Sequence, residues 1–164
     1  MMAGSHVVMA ITGWTLVSRY SGLPLLEPLA LGMAVLGGLL PDLDHPRSWV
    51  GRRLALISWP LARLFGHRGI THSLLAVFGV SALWWWLANP TAPQLATVPL
   101  VEPLLVGYLS HLIADGLTPA GVPLLWPNRR RFTVPLVATG GMVEWLAGMV
   151  AVLWLGSQLW PLWR

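Results

Sequence analysis

The chain has 164 residues, of which 55% are apolar and only 10% charged, and its net charge of +4 rests on arginine alone, because lysine is absent. So few charges could not cover a soluble domain of this size, where about a quarter of residues are charged, so lipid is the expected solvent for the remainder. Cysteine is also absent, which excludes disulfides and thiolate metal sites. Any metal must be held by nitrogen and oxygen, a donor set suited to zinc, manganese, iron or magnesium.

Five apolar segments are expected in chain order, at residues 5–20, 23–40, 70–88, 95–114 and 142–162. The N-terminus lacks a basic stretch and a small-residue cleavage site, so the first segment reads as a retained helix rather than a signal peptide. The last three approach the roughly 20 residues that a membrane span needs. The first two are marginal, are broken at Gly22 and Pro24, and allow a re-entrant hairpin. The connection 41–69 carries Arg47, Arg52, Arg53, Arg63 and Arg68, and 118–141 carries Arg129, Arg130 and Arg131, whereas 89–97 has no charge. Arginine-rich loops stay in the cytoplasm, which sets the N-terminus inside and the C-terminus outside. The basic balance is read as contact with anionic lipid headgroups, with no nucleic acid expected.

Within the first basic connection, Val50, Leu54, Ile57, Leu61 and Leu64 recur at three- and four-residue spacing, with Arg52 and Arg63 opposite. That pattern predicts an amphipathic helix lying in the membrane interface, kinked at Pro60. Trp49, Trp59 and the run Trp84 to Trp86 read as interfacial anchors. The expected fold is therefore all-α: one domain over residues 1–164, an integral membrane bundle of about five apolar helices plus one interfacial helix.

Every histidine and every aspartate falls in one of four short clusters: His6; Asp42, Asp44 and His45; His67 and His72; and His111 with Asp115. The expected topology brings all four to the cytoplasmic face, with Glu144 joining from the fifth helix. His111 and Asp115 are four apart and share a helix face. Asp42 and Asp44 follow Pro41, and in an extended segment both would face one site. His67 and His72 flank Gly69 in a tight loop entering a helix. Ionisable groups avoid hydrocarbon unless paired, hydrated or coordinated. One residue such as His6 or His45 alone reads more simply as a hydrated interface group, and Arg129 to Arg131 as a topology signal. The four clusters together point to one shared metal site. Nine candidate ligands exceed the three or four that one tetrahedral ion takes from protein, so one or two divalent ions are expected, zinc first.

The strings PDLDHP (41–46), GHRGITHS (66–73) and GYLSHLIADGLTPAGVPLLWP (107–127) resemble the YdjM family, bacterial and archaeal inner-membrane proteins described as metal-dependent hydrolases. The resemblance spans nearly the whole chain and implies a membrane hydrolase without naming its substrate. His111, Asp115 and Pro119 are also similar to the H-x-x-x-D-x-x-x-P stretch of zinc-dependent phospholipase C and related nucleases, although Val122 and Pro123 stand where that family has a further histidine. This second resemblance implies phosphoester chemistry on a lipid.

The expected function is thus a membrane-bound metal-dependent hydrolase cleaving an ester or phosphoester, with membrane lipid as candidate substrate. The expected metal ligands are Asp42, Asp44, His67, His72, His111 and Asp115, followed by His6, His45 and Glu144. Asp44 or Glu144 is expected as general base, and Arg68 as the group that positions an anion. The alternative is a non-enzymatic membrane metal-binding or transport protein, for which only Glu102 lies deep enough to mark a path.

Overall fold

The computed structural model describes residues 1–23, 27–91 and 100–160. Among them are seven α-helices and two short 3-10 helices. Helix α1 (Ala3–Ser21) stops at Gly22, whose left-handed φ of 70° ends the hydrogen-bond ladder. Helix α2 (Pro28–Leu39) starts on proline, whose missing N–H costs nothing at a first turn, and passes into a 3-10 turn, Leu40–Asp44. Helices α3 (Trp49–Arg53) and α4 (Ala55–Phe65) follow. Ser48 caps α3 by accepting from the Gly51 N–H at 2.9 Å, and its hydroxyl donates to the Asp42 carbonyl at 2.8 Å. A second 3-10 turn, Ile70–His72, leads into α5 (Leu74–Thr91). Helices α6 (Val101–Gly116) and α7 (Met142–Leu159) complete the chain.

The core forms where α1, α2 and α6 meet. Trp14 is fully buried against Ala30 and Ala34, with Leu31 and Val106 at its edge. Small residues let the backbones of α2 and α6 touch. A Cβ on Gly37 would lie 1.9 Å from the Leu104 carbonyl oxygen, and one on Gly107 would lie 2.0 Å from that of Ala34. This close approach brings the end of α2 onto the His111 turn of α6.

Beyond α6 the chain makes an irregular wrap. Val122 and Phe132 pair in an isolated antiparallel bridge, and the Val134 N–H donates to the Gly116 carbonyl at 2.8 Å. The outer faces of α5 and α7 are apolar, with Phe78, Trp85, Trp145 and Leu153 each about two-thirds exposed.

The all-α expectation agrees with this architecture, but the expectation of membrane spans does not. No helix among the described residues is long and apolar enough to cross a membrane. At 1.5 Å per residue, the 12 residues of α2 and the 16 of α6 fall short of a hydrocarbon layer about 30 Å thick. The 19-residue α1 carries His6, Thr12, Thr15, Ser18 and Arg19 along its length. Runs that look continuous in sequence are cut short in three dimensions, because α2 begins only at Pro28 and yields to a 3-10 turn at Leu40. The readings of an integral membrane bundle, a membrane-bound enzyme in an inner membrane, inside and outside termini, and a site on the cytoplasmic face all rested on those spans and fall with them. The interfacial helix is two helices, broken at Leu54 rather than at Pro60, which lies inside α4. The uncharged connection 89–97, the Pro24 break and the end of the last segment lie wholly or partly outside the described residues.

A buried histidine–aspartate centre

Helix α6 supplies the floor of the site. His111 and Asp115, one turn apart, are both buried, and Tyr108 extends the same stripe. His111 Nδ1 lies 2.7 Å from the Gly38 carbonyl oxygen. A carbonyl can only accept, so Nδ1 carries the proton and Nε2 presents a lone pair. That Nε2 faces His72 Nε2 at 3.3 Å. His72 in turn places its Nδ1 3.4 Å from Asp44 Oδ2. Asp115 Oδ2 lies 3.7 Å from His72 Nε2 and 3.8 Å from His111 Nε2.

Two groups of side chains here could hold a metal ion: His72, His111 and Asp115, all buried; and His6, Asp42 and His111. In the second group the His6 ring stacks on His111 at 3.6 Å, and Asp42 Oδ1 is 3.9 Å from His111 Nε2. His6 Nδ1 is buried with no hydrogen-bond partner among the described residues. The donor chemistry fits a divalent cation. Imidazole nitrogens that converge while their other nitrogens are held by a carbonyl or carboxylate are the usual arrangement of metal-binding histidines.

Charge around the centre is closely balanced. Arg68 Nη2 pairs with Asp115 Oδ2 at 2.6 Å, and its Nη1 donates to the Gly121 carbonyl at 3.0 Å. The Arg68 backbone takes a left-handed φ of 57°, unusual outside glycine, which turns its side chain into the site. The other Asp115 oxygen meets the Met1 amine at 2.6 Å and His6 Nε2 at 3.4 Å. Burial alone would raise the Asp115 carboxyl pKa, but the His6 hydrogen bond, the proximity of His111 and the hydrogen-bonded amine outweigh it and hold Asp115 well below the usual carboxylate range. Burial, reinforced by repulsion from His6 and His72, drives the His111 pKa well below that of a free imidazole. His111 is therefore neutral near pH 7, the state a metal ligand requires.

Asp44 meets the cluster at His72 Nδ1, whereas its neighbour Asp42 approaches His111 Nε2. The two lie in a 3-10 turn rather than in the extended segment expected. Asp44 is fully buried and takes donors on both oxygens: His67 Nδ1 at 3.0 Å on Oδ1, and the Gly69 N–H at 3.4 Å and the Thr71 hydroxyl on Oδ2. Burial opposes its ionisation, but the hydrogen bonds from His67 and His72 prevail and hold its pKa far below normal. His67 is 41% exposed on its side chain and belongs to neither metal-capable group. His45 packs its ring 4.3 Å from that of His67, and burial, followed by the proximity of His67, lowers its pKa.

Glu144 is also drawn elsewhere. It accepts from the Met2 N–H at 2.8 Å and the Gly140 N–H at 2.6 Å, tying the start of α7 to the N-terminal segment. Burial raises its pKa, but the Ser5 and backbone hydrogen bonds outweigh this and lower it overall. Glu102 sits in the first turn of α6, remote from the cluster in sequence and in neither metal-capable group.

Three contributors escaped the sequence reading. Thr71 binds Asp44, the Tyr108 hydroxyl donates to the Thr71 carbonyl at 2.5 Å, and the Gly38 carbonyl orients His111. Tyr108 precedes His111 by three and Asp115 by seven, a helical stripe visible in the sequence. Gly38 carried no such signal, because its role depends on which helix packs against α6.

The fold and site define an all-helical protein with a buried histidine–aspartate centre able to hold a divalent cation. The chain belongs to the YdjM family: the family described as "YdjM inner membrane protein" matches residues 1–163. The chain is 48% identical over 125 residues to the inner membrane protein YdjM of Escherichia coli (strain K12), and equally so to that of Shigella flexneri. Those alignments cover 74% of this chain and 62% of each relative, so the chain spans under two-thirds of their length. It is also 31% identical over 148 residues to the protein YvsG of Bacillus subtilis (strain 168), covering 89% of this chain and 86% of that one. No solved structure matches the chain.

Proposed function

We propose that the chain is a divalent-metal-dependent hydrolase of esters or phosphoesters, with His72, His111 and Asp115 as the metal ligands. The observation that carries this reading is the convergence of His72 and His111 Nε2 atoms at 3.3 Å, with an Asp115 oxygen within 3.8 Å of both. Two imidazoles and one carboxylate are a common zinc-enzyme donor set, which leaves a coordination position for water. Zinc bound there would polarise the substrate and acidify a water molecule near neutral pH.

His111 offers one free nitrogen, since Nδ1 is bonded to Gly38. The two metal-capable groups share that nitrogen, so they describe one ion position with His6 and Asp42 at its margin, not two independent ions. Arg68, only 10% exposed on its side chain, gives the site a fixed cation beside Asp115. Its planar donors suit a phosphoryl oxygen better than a neutral carbonyl. Phosphoesters are therefore the favoured substrate class.

The test is a hydrolysis screen of the zinc-loaded protein against phosphomonoesters, phosphodiesters and carboxyl esters, with His72→Ala as control. Phosphoester turnover that needs zinc and is lost in His72→Ala supports the reading. Tight zinc binding without turnover of any ester would point instead to a metal-binding protein without hydrolytic activity.

A further inference from the structure

The proposed reaction needs a group to take a proton from the attacking water. The two carboxylates expected in that role are committed elsewhere. Asp44 is fully buried with donors on both oxygens, and Glu144 accepts from two backbone N–H groups. Among the described residues, His67 borders the centre through His72, is exposed to solvent, and pairs its Nδ1 with Asp44.

We propose that His67 is the proton-transfer residue of this site and that Asp44 positions it. Asp44 Oδ1 can only accept, so the 3.0 Å contact fixes the proton of His67 on Nδ1 and leaves Nε2 with a lone pair. The carboxylate is anchored by Gly69 and Thr71, so it cannot swing away from the ring. A buried carboxylate orienting an imidazole whose other nitrogen reaches the reactants is a recurrent acid–base device. The His67 ring lies edge-on to His72, with centroids 5.7 Å apart. It therefore stands at the border of the cluster while remaining 41% exposed on its side chain. Asp44 thus serves two rings, holding His72 toward the cluster and His67 toward solvent.

The step balances as follows. Nε2 of His67 takes a proton from water as the water oxygen bonds to phosphorus. The bond from phosphorus to the ester oxygen breaks, and His67 returns the proton to that leaving oxygen. The sum is ester plus water giving acid plus alcohol, with His67 regenerated and the Asp44 charge stabilising the imidazolium between the two transfers.

This assignment rests on the hydrolase reading, and its test separates the two. The first readout needs no activity: nitrogen NMR of the protein labelled with 15N-histidine. His67 should carry its proton on Nδ1, and Asp44→Asn should weaken that preference. A His67 protonated on Nε2 in the unmodified protein overturns the dyad.

The second readout uses His67→Ala and His67→Gln, assayed with zinc on p-nitrophenyl phosphate and on an alkyl phosphate with a poorer leaving group. Zinc stoichiometry should be unchanged. Turnover should fall by about 10²-fold or more, more steeply on the alkyl ester, and added imidazole should restore part of it in His67→Ala. Loss of zinc would make His67 a ligand, and undiminished turnover would make it a bystander; either result overturns the proposal. If the unmodified zinc protein turns over no ester, the hydrolase reading and the proton-transfer role fail together. If it is active and both variants match it, only the role of His67 fails.

Discussion

His111 and Gly38, 73 residues apart in the chain, meet through a 2.7 Å hydrogen bond from the imidazole Nδ1 to the backbone carbonyl. The bond fixes which nitrogen of His111 is free, so the chemistry of the centre depends on how closely two helix backbones pack. That packing depends on glycine at Gly37 and Gly107.

Gly107→Ala tests this dependence. The new methyl would stand 2.0 Å from the Ala34 carbonyl oxygen, a backbone atom that cannot turn aside. Helix α2 must move away, at a cost of about 1–3 kcal/mol in the overpacking range, and it takes the Gly38 carbonyl with it. Urea unfolding should show that loss, and zinc titration should show weaker binding although no proposed ligand was changed. Unchanged zinc affinity would mean that His111 is oriented by something else.

Arg68 combines a left-handed backbone with a short, nearly buried ion pair to Asp115. Removing one partner of a buried pair costs about 3–5 kcal/mol, so Arg68→Ala should unfold at clearly lower denaturant. Arg68→Gly loses the same pair but suits the backbone, and should be more stable than Arg68→Ala by about 1 kcal/mol. With substrate, both should raise KM for phosphoesters more than for carboxyl esters. If the two variants are equally stable, the backbone conformation carries no cost.

Acidification should weaken the metal-free protein in two stages. Burial holds His111 neutral in the fold, below the ordinary 6.5, so the unfolded chain takes up its proton first and stability falls as pH drops below about 6.5. Asp44 and Asp115 are held below the ordinary 3.8, so their stabilisation is complete above that value and is lost as pH falls below it. Thermal unfolding of zinc-free protein from pH 8 to pH 3 should show both declines, and His111→Ala should flatten the first. A melting temperature level between pH 8 and pH 5 would contradict the assignment for His111.

Much of the centre was legible in the sequence because histidine and aspartate are scarce in this chain and occur only in clusters. The i, i+4 spacing of His111 and Asp115 survives unchanged on α6. A proline-led segment reads as extended, but Pro41 sits inside a 3-10 turn, from which Asp42 approaches His111 and Asp44 approaches His72. Glu144 lies in neither metal-capable group, and its bonds to Met2 and Gly140 depend on tertiary packing that residue spacing does not show. The membrane reading failed for a related reason: composition counts apolar residues but not where Pro28 starts a helix or Leu40 ends one. Gly38 and Thr71, which orient His111 and Asp44, have roles that exist only after packing.

Whether His72 and His111 hold a metal ion is decided by the zinc content of the purified, zinc-loaded protein, with His72→Ala, His111→Ala and His45→Ala alongside. One zinc per chain is expected, retained by His45→Ala and lost by the other two while their helical content persists. A folded protein that takes up no zinc, or a His111→Ala variant that still holds one, would contradict that expectation.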